Sequence, residues 1–325
     1  MPTHSRAEHK RAAVIYNPIK VDIDAIREVV SREEQANGWA ETLWLETSED
    51  DPGQGAAAEA VNSGATLVIA AGGDGTVRAV AEGMHDSSVS LALLPSGTGN
   101  LLARNLHLTL DDIEHSITTA FTGNDRKIDL GIIEIERDDR STTNHVFLVM
   151  AGLGLDAKML ANTDDDLKKR AGWLAYVKAL TTTLRDKNEL RFVYTLNRGP
   201  KRSLRAHTII VGNCGALPAN IVLLPDAAVD DGQFDVLLLR PKGFVGWVQI
   251  FWKVLWENGV LRRTKAGRAL LSHEVSSLRY VSAVDLTVSL QRAEEIELDG
   301  DGFGKATGFH SWVESKGITI KVPAE

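Results

Sequence analysis

A single cysteine, Cys214, stands in 325 residues, so the chain closes no internal disulfide and suits a reducing cytoplasm. No apolar run reaches the roughly 20 residues of a membrane-spanning helix, and no N-terminal signal segment is legible. An excess of positive charge is missing too. The formal net charge is −8, which argues against a nucleic-acid binder while leaving room for a local patch that touches membrane. Two phosphate-binding signatures are absent. There is no Gly-x-x-x-x-Gly-Lys-Ser/Thr, which excludes a P-loop. Gly73-x-Gly75 runs into Thr76-Val77-Arg78, without the third glycine of the dinucleotide fingerprint. Nothing resembles a protein-kinase catalytic loop, and no internal repeat or low-complexity tract occurs. The remaining composition, 43% hydrophobic and 25% charged, is that of a globular protein long enough for two domains.

Residues 1–11 are polar and basic and read as a disordered lead-in. From residue 12 the chain alternates short apolar runs with amphipathic stretches. Ala12–Tyr16, Thr42–Leu45, Leu67–Ala71 and Leu91–Leu94 are predicted strands. Ile23 to Val30, Ala56–Asn62, Val77 to Met84 and Leu101–Leu106 have helical spacing. Such alternation predicts a doubly wound parallel sheet over 12–126, whose strand ends form a binding rim. Asn17, Thr47, Gly72–Thr76 and Ser96–Asn100 fall on that rim. From 127 to 325 the reading changes to a β-rich, β-sandwich-like domain, and a return of the last strand to the first domain stays open. Its expected strands include Ile128–Ile135, His145–Met150, Leu190–Leu196, Ala206–Val211, Ile221–Leu224, Phe234–Leu239, Val284–Leu290 and Ile296–Leu298. Asp230-Asp231-Gly232 carries a hairpin signal. Two helices are expected, Asp166–Arg185 and about Phe244–Leu261. The second carries Trp247, Trp252 and Trp256 beside Arg262, Arg263 and Lys265. That stripe reads as packing on the β-domain, with a membrane interface as the other reading. Asp164-Asp165-Asp166 reads as a helix N-terminal acid cluster.

Leu67-Val68-Ile69-Ala70-Ala71-Gly72-Gly73-Asp74-Gly75-Thr76 is the stretch with the sharpest chemistry. A buried strand, a glycine turn and a helix start let backbone N–H groups approach an anion, and the helix N-terminus adds partial positive charge. Alone, this turn is equally compatible with a bare strand–helix connection. Together with Pro95-Ser96-Gly97-Thr98-Gly99-Asn100-Leu101-Leu102-Ala103-Arg104 it is far more specific. With this pair, and over nearly its whole length, the chain resembles the diacylglycerol kinase catalytic family, bacterial lipid kinases related to sphingosine and ceramide kinases. Asn17-Pro18, Gly152-x-Gly154-x-Asp156, Pro225-Asp226-Ala227 with Asp230-Asp231-Gly232, and Asp299-Gly300-Asp301 also fit.

The resemblance implies ATP and Mg2+, a nucleotide domain followed by a lipid domain, and phosphoryl transfer to a lipid hydroxyl, diacylglycerol first. It implies nucleotide contacts at Asn17, Thr47, Gly72, Gly73, Asp74, Gly75, Thr76, Ser96, Gly97, Thr98 and Asn100. Asp301 inherits the role of base, with Asp74 as a second candidate and Asp299 beside it. Asp301 stands where the family usually has Glu and is one methylene shorter. Asp231, with the carbonyls of Ala228 and Gln233, matches a structural metal loop, although Asp231 also reads as a plain turn residue, and Asp156 as a helix cap. A cytoplasmic enzyme working transiently at the inner membrane face follows, and a homodimer stays open. A nicotinamide-nucleotide kinase, which shares the Gly-Gly-Asp-Gly-Thr turn, and a non-catalytic nucleotide-binding regulator are the competing expectations.

Overall fold

The computed structural model describes residues 10–97, 99–154, 189–217, 221–240 and 278–324. The helices expected at 166–185 and 244–261, the acid cluster at 164–166, Asp156, Thr98 and most of the lead-in lie outside these residues. The chain divides into two compact units, one of residues 1–128 with 316–325 and one of residues 129–315.

The first unit is built on β1 (Arg11–Tyr16), β2 (Ala40–Glu46), β3 (Leu67–Gly72) and β4 (Ser90–Pro95). They run parallel in the order β4-β3-β1-β2. All of β3 is buried, as expected of a charge-free strand covered on both faces. One cover is α1 (Ile23–Asn37) with α5 (Ile113–Thr122). Ile26, Val30, Ile117 and Phe121 pack there on Val14, Ile69 and Leu94. The other cover is α2 (Gln54–Asn62) with α3 (Asp74–Gly83), which lie on β1 and β3. α2 and α3 approach so closely that a Cβ on Gly83 would stand 2.1 Å from the Gln54 carbonyl oxygen. A short α4 (Leu101–Asn105) follows β4. α5 was not expected from the sequence, although Asp112 caps it and Ile113, Ile117 and Phe121 give it an apolar stripe.

The second unit is antiparallel. Its strands are β5 (Asn124–Glu136), β6 (Thr142–Phe147), β7 (Met150–Leu153), β8 (Leu190–Leu196), β9 (Arg202–Ala206), β10 (Thr208–Gly212), β13 (Phe234–Leu239), β14 (Leu278–Ala283), β15 (Asp285–Leu298) and β16 (Asp301–Val322). β11 (Ala216–Leu217) and β12 (Ile221–Val222) make a separate two-stranded ladder. The main path is β14-β13-β10-β7-β15-β16, with β8 and β9 added on β15. Phe147, Phe192, Phe234, Leu286, Ile296 and Phe309 fill a β-sandwich-like core. The fold class is therefore mixed α/β, a parallel sheet followed by a β-sandwich-like domain. The first residues of β5, 124–128, and the last of β16, from 316, belong to the first unit, where Ile320 pairs in parallel with Leu91 of β4.

One expectation is corrected. Asp230-Asp231-Gly232 does not join a hairpin, because β12 pairs with β11 while β13 pairs with β10 and β14. The two-residue hairpin is Asp299-Gly300, between β15 and β16, with φ of 49° and 93°. Both residues need positive φ, which is what an Asp-Gly pair supplies.

Candidate active site

In the first unit, two glycine loops meet at the carboxyl ends of β3 and β4. Ser96 N–H donates to the Gly72 carbonyl at 3.1 Å, which continues the ladder past Pro95. A Cβ on Gly97 would stand 3.0 Å from Gly73 Cα. One on Gly99 would stand 2.3 Å from an Asp74 carboxylate oxygen, and one on Gly72 would collide with Thr76 at 2.6 Å. Only glycine lets these backbones touch. Asp74 ties the loops together, since its Oδ1 accepts the Leu101 N–H at 2.6 Å. Asn100, buried and left-handed with φ 47°, donates from Nδ2 to the Gly97 carbonyl at 2.8 Å. Arg104 Nε donates to the Gly99 carbonyl at 2.7 Å.

The start of α3 carries no side-chain cap on Gly73. A helix start of this kind, with its partial positive charge, suits an anion. Thr76 is buried within this turn. Thr47, also buried, donates its N–H to the Tyr16 carbonyl at 2.9 Å at the neighbouring strand end. Asn17 holds its own turn, its Oδ1 accepting the Ile19 N–H at 3.0 Å. Ser96 Oγ is buried with no hydrogen-bond partner among the described residues.

In the second unit, Asp301 is exposed at the first position of β16. Asp299, two residues before it, is 5% exposed. Its Oδ1 accepts N–H groups of Val149 and Met150, both at 2.9 Å, and its Oδ2 that of Leu148 at 2.8 Å. This carboxylate is turned inward onto backbone donors, an arrangement for holding the turn rather than for meeting a substrate. Cys214 lies behind it, and burial, followed by the charge of Asp299, pushes its thiol well above the usual range. It is an inert core residue.

Asp129 escaped the reading of the sequence. It is fully buried in β5, its Oδ2 accepts the Gly232 N–H at 2.6 Å, and its own N–H donates to the Val229 carbonyl at 2.7 Å. An acid at the start of the apolar run Ile128–Ile135 was the available signal, because a buried charge has to be partnered. Asn213 extends the connection, with Nδ2 donating to the carbonyls of Asp129 at 2.9 Å and Leu148 at 3.2 Å. The 229–232 turn, Asp129, Asn213, the 148–150 backbone and Asp299 thus form one hydrogen-bonded chain that ends beside Asp301. Within that turn Asp231 is exposed, with Oδ1 accepting the Gln233 N–H at 2.9 Å. A carboxylate with the main-chain carbonyls of Ala228 and Gln233 is an all-oxygen donor set, which fits a hard divalent cation such as Mg2+.

Residues 11–133 match the diacylglycerol kinase catalytic domain, and residues 149–308 match the YegS C-terminal NAD kinase beta sandwich-like domain. A Pseudomonas fluorescens protein named "Probable lipid kinase YegS-like" is 33% identical over 242 residues, 73% of this chain and 74% of that one. A Bacillus subtilis protein named diacylglycerol kinase is 26% identical over 310 residues, 92% of each chain. A crystal structure described as a diacylglycerol kinase from Bacillus anthracis superposes with a TM-score of 0.68 at 18% identity, covering 97% of this chain and 98% of that one. Two consecutive domain matches and a relative sharing a third of its residues over most of both lengths lead to one conclusion: the chain belongs to the diacylglycerol kinase catalytic-domain family of lipid kinases.

Proposed function

We propose that the chain transfers the γ-phosphoryl group of ATP to a lipid hydroxyl, with diacylglycerol as acceptor and phosphatidic acid as product. The observation that carries the reading is the junction of the two glycine loops, with Asp74 bonded across it and the uncapped start of α3 beside it. Phosphoryl transfer is mostly a matter of positioning and of charge neutralisation. The N–H groups of Gly72–Thr76 hold phosphate oxygens, helped by the helix dipole. Thr47, Asn17, Ser96, Gly97, Thr98 and Asn100 complete the nucleotide contacts. Asp74 keeps the two loops in register. Asp301 accepts the proton of the attacking hydroxyl, the role of a general base. Asp299 is a positioning residue that fixes the turn on which Asp301 stands. Bound Mg2+ would supply charge neutralisation on the phosphates, and Asp231 with the Ala228 and Gln233 carbonyls would hold a structural ion. The enzyme works in the cytoplasm and meets its lipid at the membrane surface. Among the described residues no helix is long and apolar enough to cross a membrane.

The test is purified protein with ATP, Mg2+ and diacylglycerol in mixed micelles, beside an Asp74→Ala control. Phosphatidic acid well above that control supports the reading. The same protein with NAD and ATP covers the competing acceptor suggested by the NAD kinase-like second domain. NADP formation without lipid phosphorylation would reverse the assignment.

A further inference from the structure

The β8–β9 hairpin gathers positive charge in a chain whose formal net charge is −8. Between Glu189 and Ala206 stand Arg191, Arg198, Lys201, Arg202 and Arg205, all exposed. Arg198 and Lys201 lie in the turn, and strand alternation sets Arg191 and Arg205 on one outer face, while Arg202, opposite Tyr194, takes the other. Leu190, Phe192 and Tyr194 enter the core, so Arg191, Val193 and Thr195 point outward. The ladder sets Arg191 opposite Arg205 and Val193 opposite Ser203. On the other flank β15 offers only Thr287 and Ser289, exposed and uncharged, opposite Thr195 and Val193. Val193 is 40% exposed amid these cations. Val284, 46% exposed, sits at the hairpin's turn, where its N–H donates to Asn197 Oδ1.

Like charges set directly across a ladder destabilise it. Arg205 approaches Glu189 at 3.8 Å and Arg198 approaches Asp285 at 3.9 Å. Arg191, Lys201 and Arg202 have no carboxylate partner among the described residues. A charge or two on an edge strand such as β9 discourages pairing with another chain, but that need is met long before five cations. Cations around exposed aliphatic side chains suit the boundary of an anionic membrane.

We propose that the outer face of the β8–β9 hairpin docks on an anionic phospholipid bilayer. The choice of partner rests on the lipid-kinase reading, since the acceptor resides in a membrane. Guanidinium and ammonium groups meet the anionic headgroups, while Val193 and Val284 reach the acyl boundary. Ser289, beside Val193, lies about 30 Å along β15 from Leu298 at the strand rise of ~3.3 Å per residue. Variants of this face therefore leave the Asp299-Gly300-Asp301 turn untouched.

The full chain, with no ATP present, is sedimented with vesicles of phosphatidylcholine alone or with about one third phosphatidylglycerol. Each cation at such a surface is worth roughly fivefold in partitioning. The triple variant Arg191→Gln, Lys201→Gln, Arg205→Gln should bind anionic vesicles about 100-fold more weakly, and added salt should weaken the wild type likewise. Lys201→Gln alone, expected to lose roughly fivefold, reads the same effect should the triple variant melt early. Equal binding to both vesicle types, unchanged binding by the variants, or binding of duplex DNA in place of vesicles each overturns the proposal. The readout involves no turnover. Phosphorylation of micellar diacylglycerol without vesicle binding sinks the docking face alone, and vesicle binding without lipid phosphorylation sinks the reaction alone.

Discussion

Replacing Asp299 by asparagine keeps the shape of the side chain and changes its hydrogen bonding. The remaining oxygen can still serve Val149 and Met150, which share Oδ1. The amide nitrogen then faces the Leu148 N–H, donor against donor, where Oδ2 now accepts. At 5% exposure water offers little rescue. One buried N–H left without an acceptor costs about 1–3 kcal/mol, and the loss of charge assistance on the other two bonds adds about 1 kcal/mol. A total of roughly 2–4 kcal/mol lowers Tm by about 4–16 °C in a unit of this size. Calorimetry of Asp299→Asn measures that fall, and steady-state kinetics on the same sample reads the second consequence. A loosened turn should lower kcat through Asp301 while KM for ATP holds. A Tm within about 1 °C of wild type would refute the hydrogen-bond reasoning. An intact Tm with abolished turnover would make Asp299 a reacting group, contrary to its role as a positioning residue.

Gly99→Ala places a methyl against the Asp74 carboxylate, breaks its bond to Leu101 and should cut kcat/KM about 100-fold with little effect on the second unit; a near-normal value would show that the loops tolerate separation. Asp301→Ala should lower kcat by about 10²–10⁴-fold while Asp301→Glu stays active, and an active alanine variant would remove Asp301 as the base. Asp125 is pushed up by burial but pulled further down by hydrogen bonds from Lys321 Nζ and Ser90 Oγ, so its carboxyl lies below the usual carboxylate range. A depressed folded-state pKa gives stability that is present above the unfolded value near pH 4 and lost as pH falls through the folded one. Lys321→Met should therefore destabilise by no more than about 1 kcal/mol at pH 7, since the Asp125 side chain is 55% exposed, and urea titrations should show the deficit shrinking below about pH 4. A deficit of equal size in acid would assign the effect to another contact of Lys321, such as its bond to the Gly123 carbonyl.

The parallel sheet was legible because strands covered on both faces carry no charge, as in Leu67–Gly72. The late strands were harder. Gln291-Arg292-Ala293-Glu294-Glu295 looks like a break, yet β15 runs through it with a register shift between Ser289 and Glu294. β16 went unread because only one face is consistently buried and glycines punctuate it. At the candidate site, the glycine loops were visible from spacing alone. Their mutual contact was not, since Gly73 with Gly97 and Asp74 with Leu101 are pairings of distant residues. Asp299 and Asp301 look alike in sequence. Only the fold distinguishes the buried one from the exposed one, because the left-handed Asp299-Gly300 turn points alternate carboxylates in different directions.

Ile320 of β16, fully buried, pairs with Leu91 of β4, and a Cβ on Gly123 would stand 2.4 Å from the Val322 carbonyl oxygen. During synthesis the ribosome delivers residues 1–128 long before this closing segment. The nascent sheet must wait, with one flank of β4 unfilled, until 316–325 have been made. A gene fragment ending at Ile128 would express that same unfinished intermediate, and supplying 316–325 as a separate peptide should rescue its solubility.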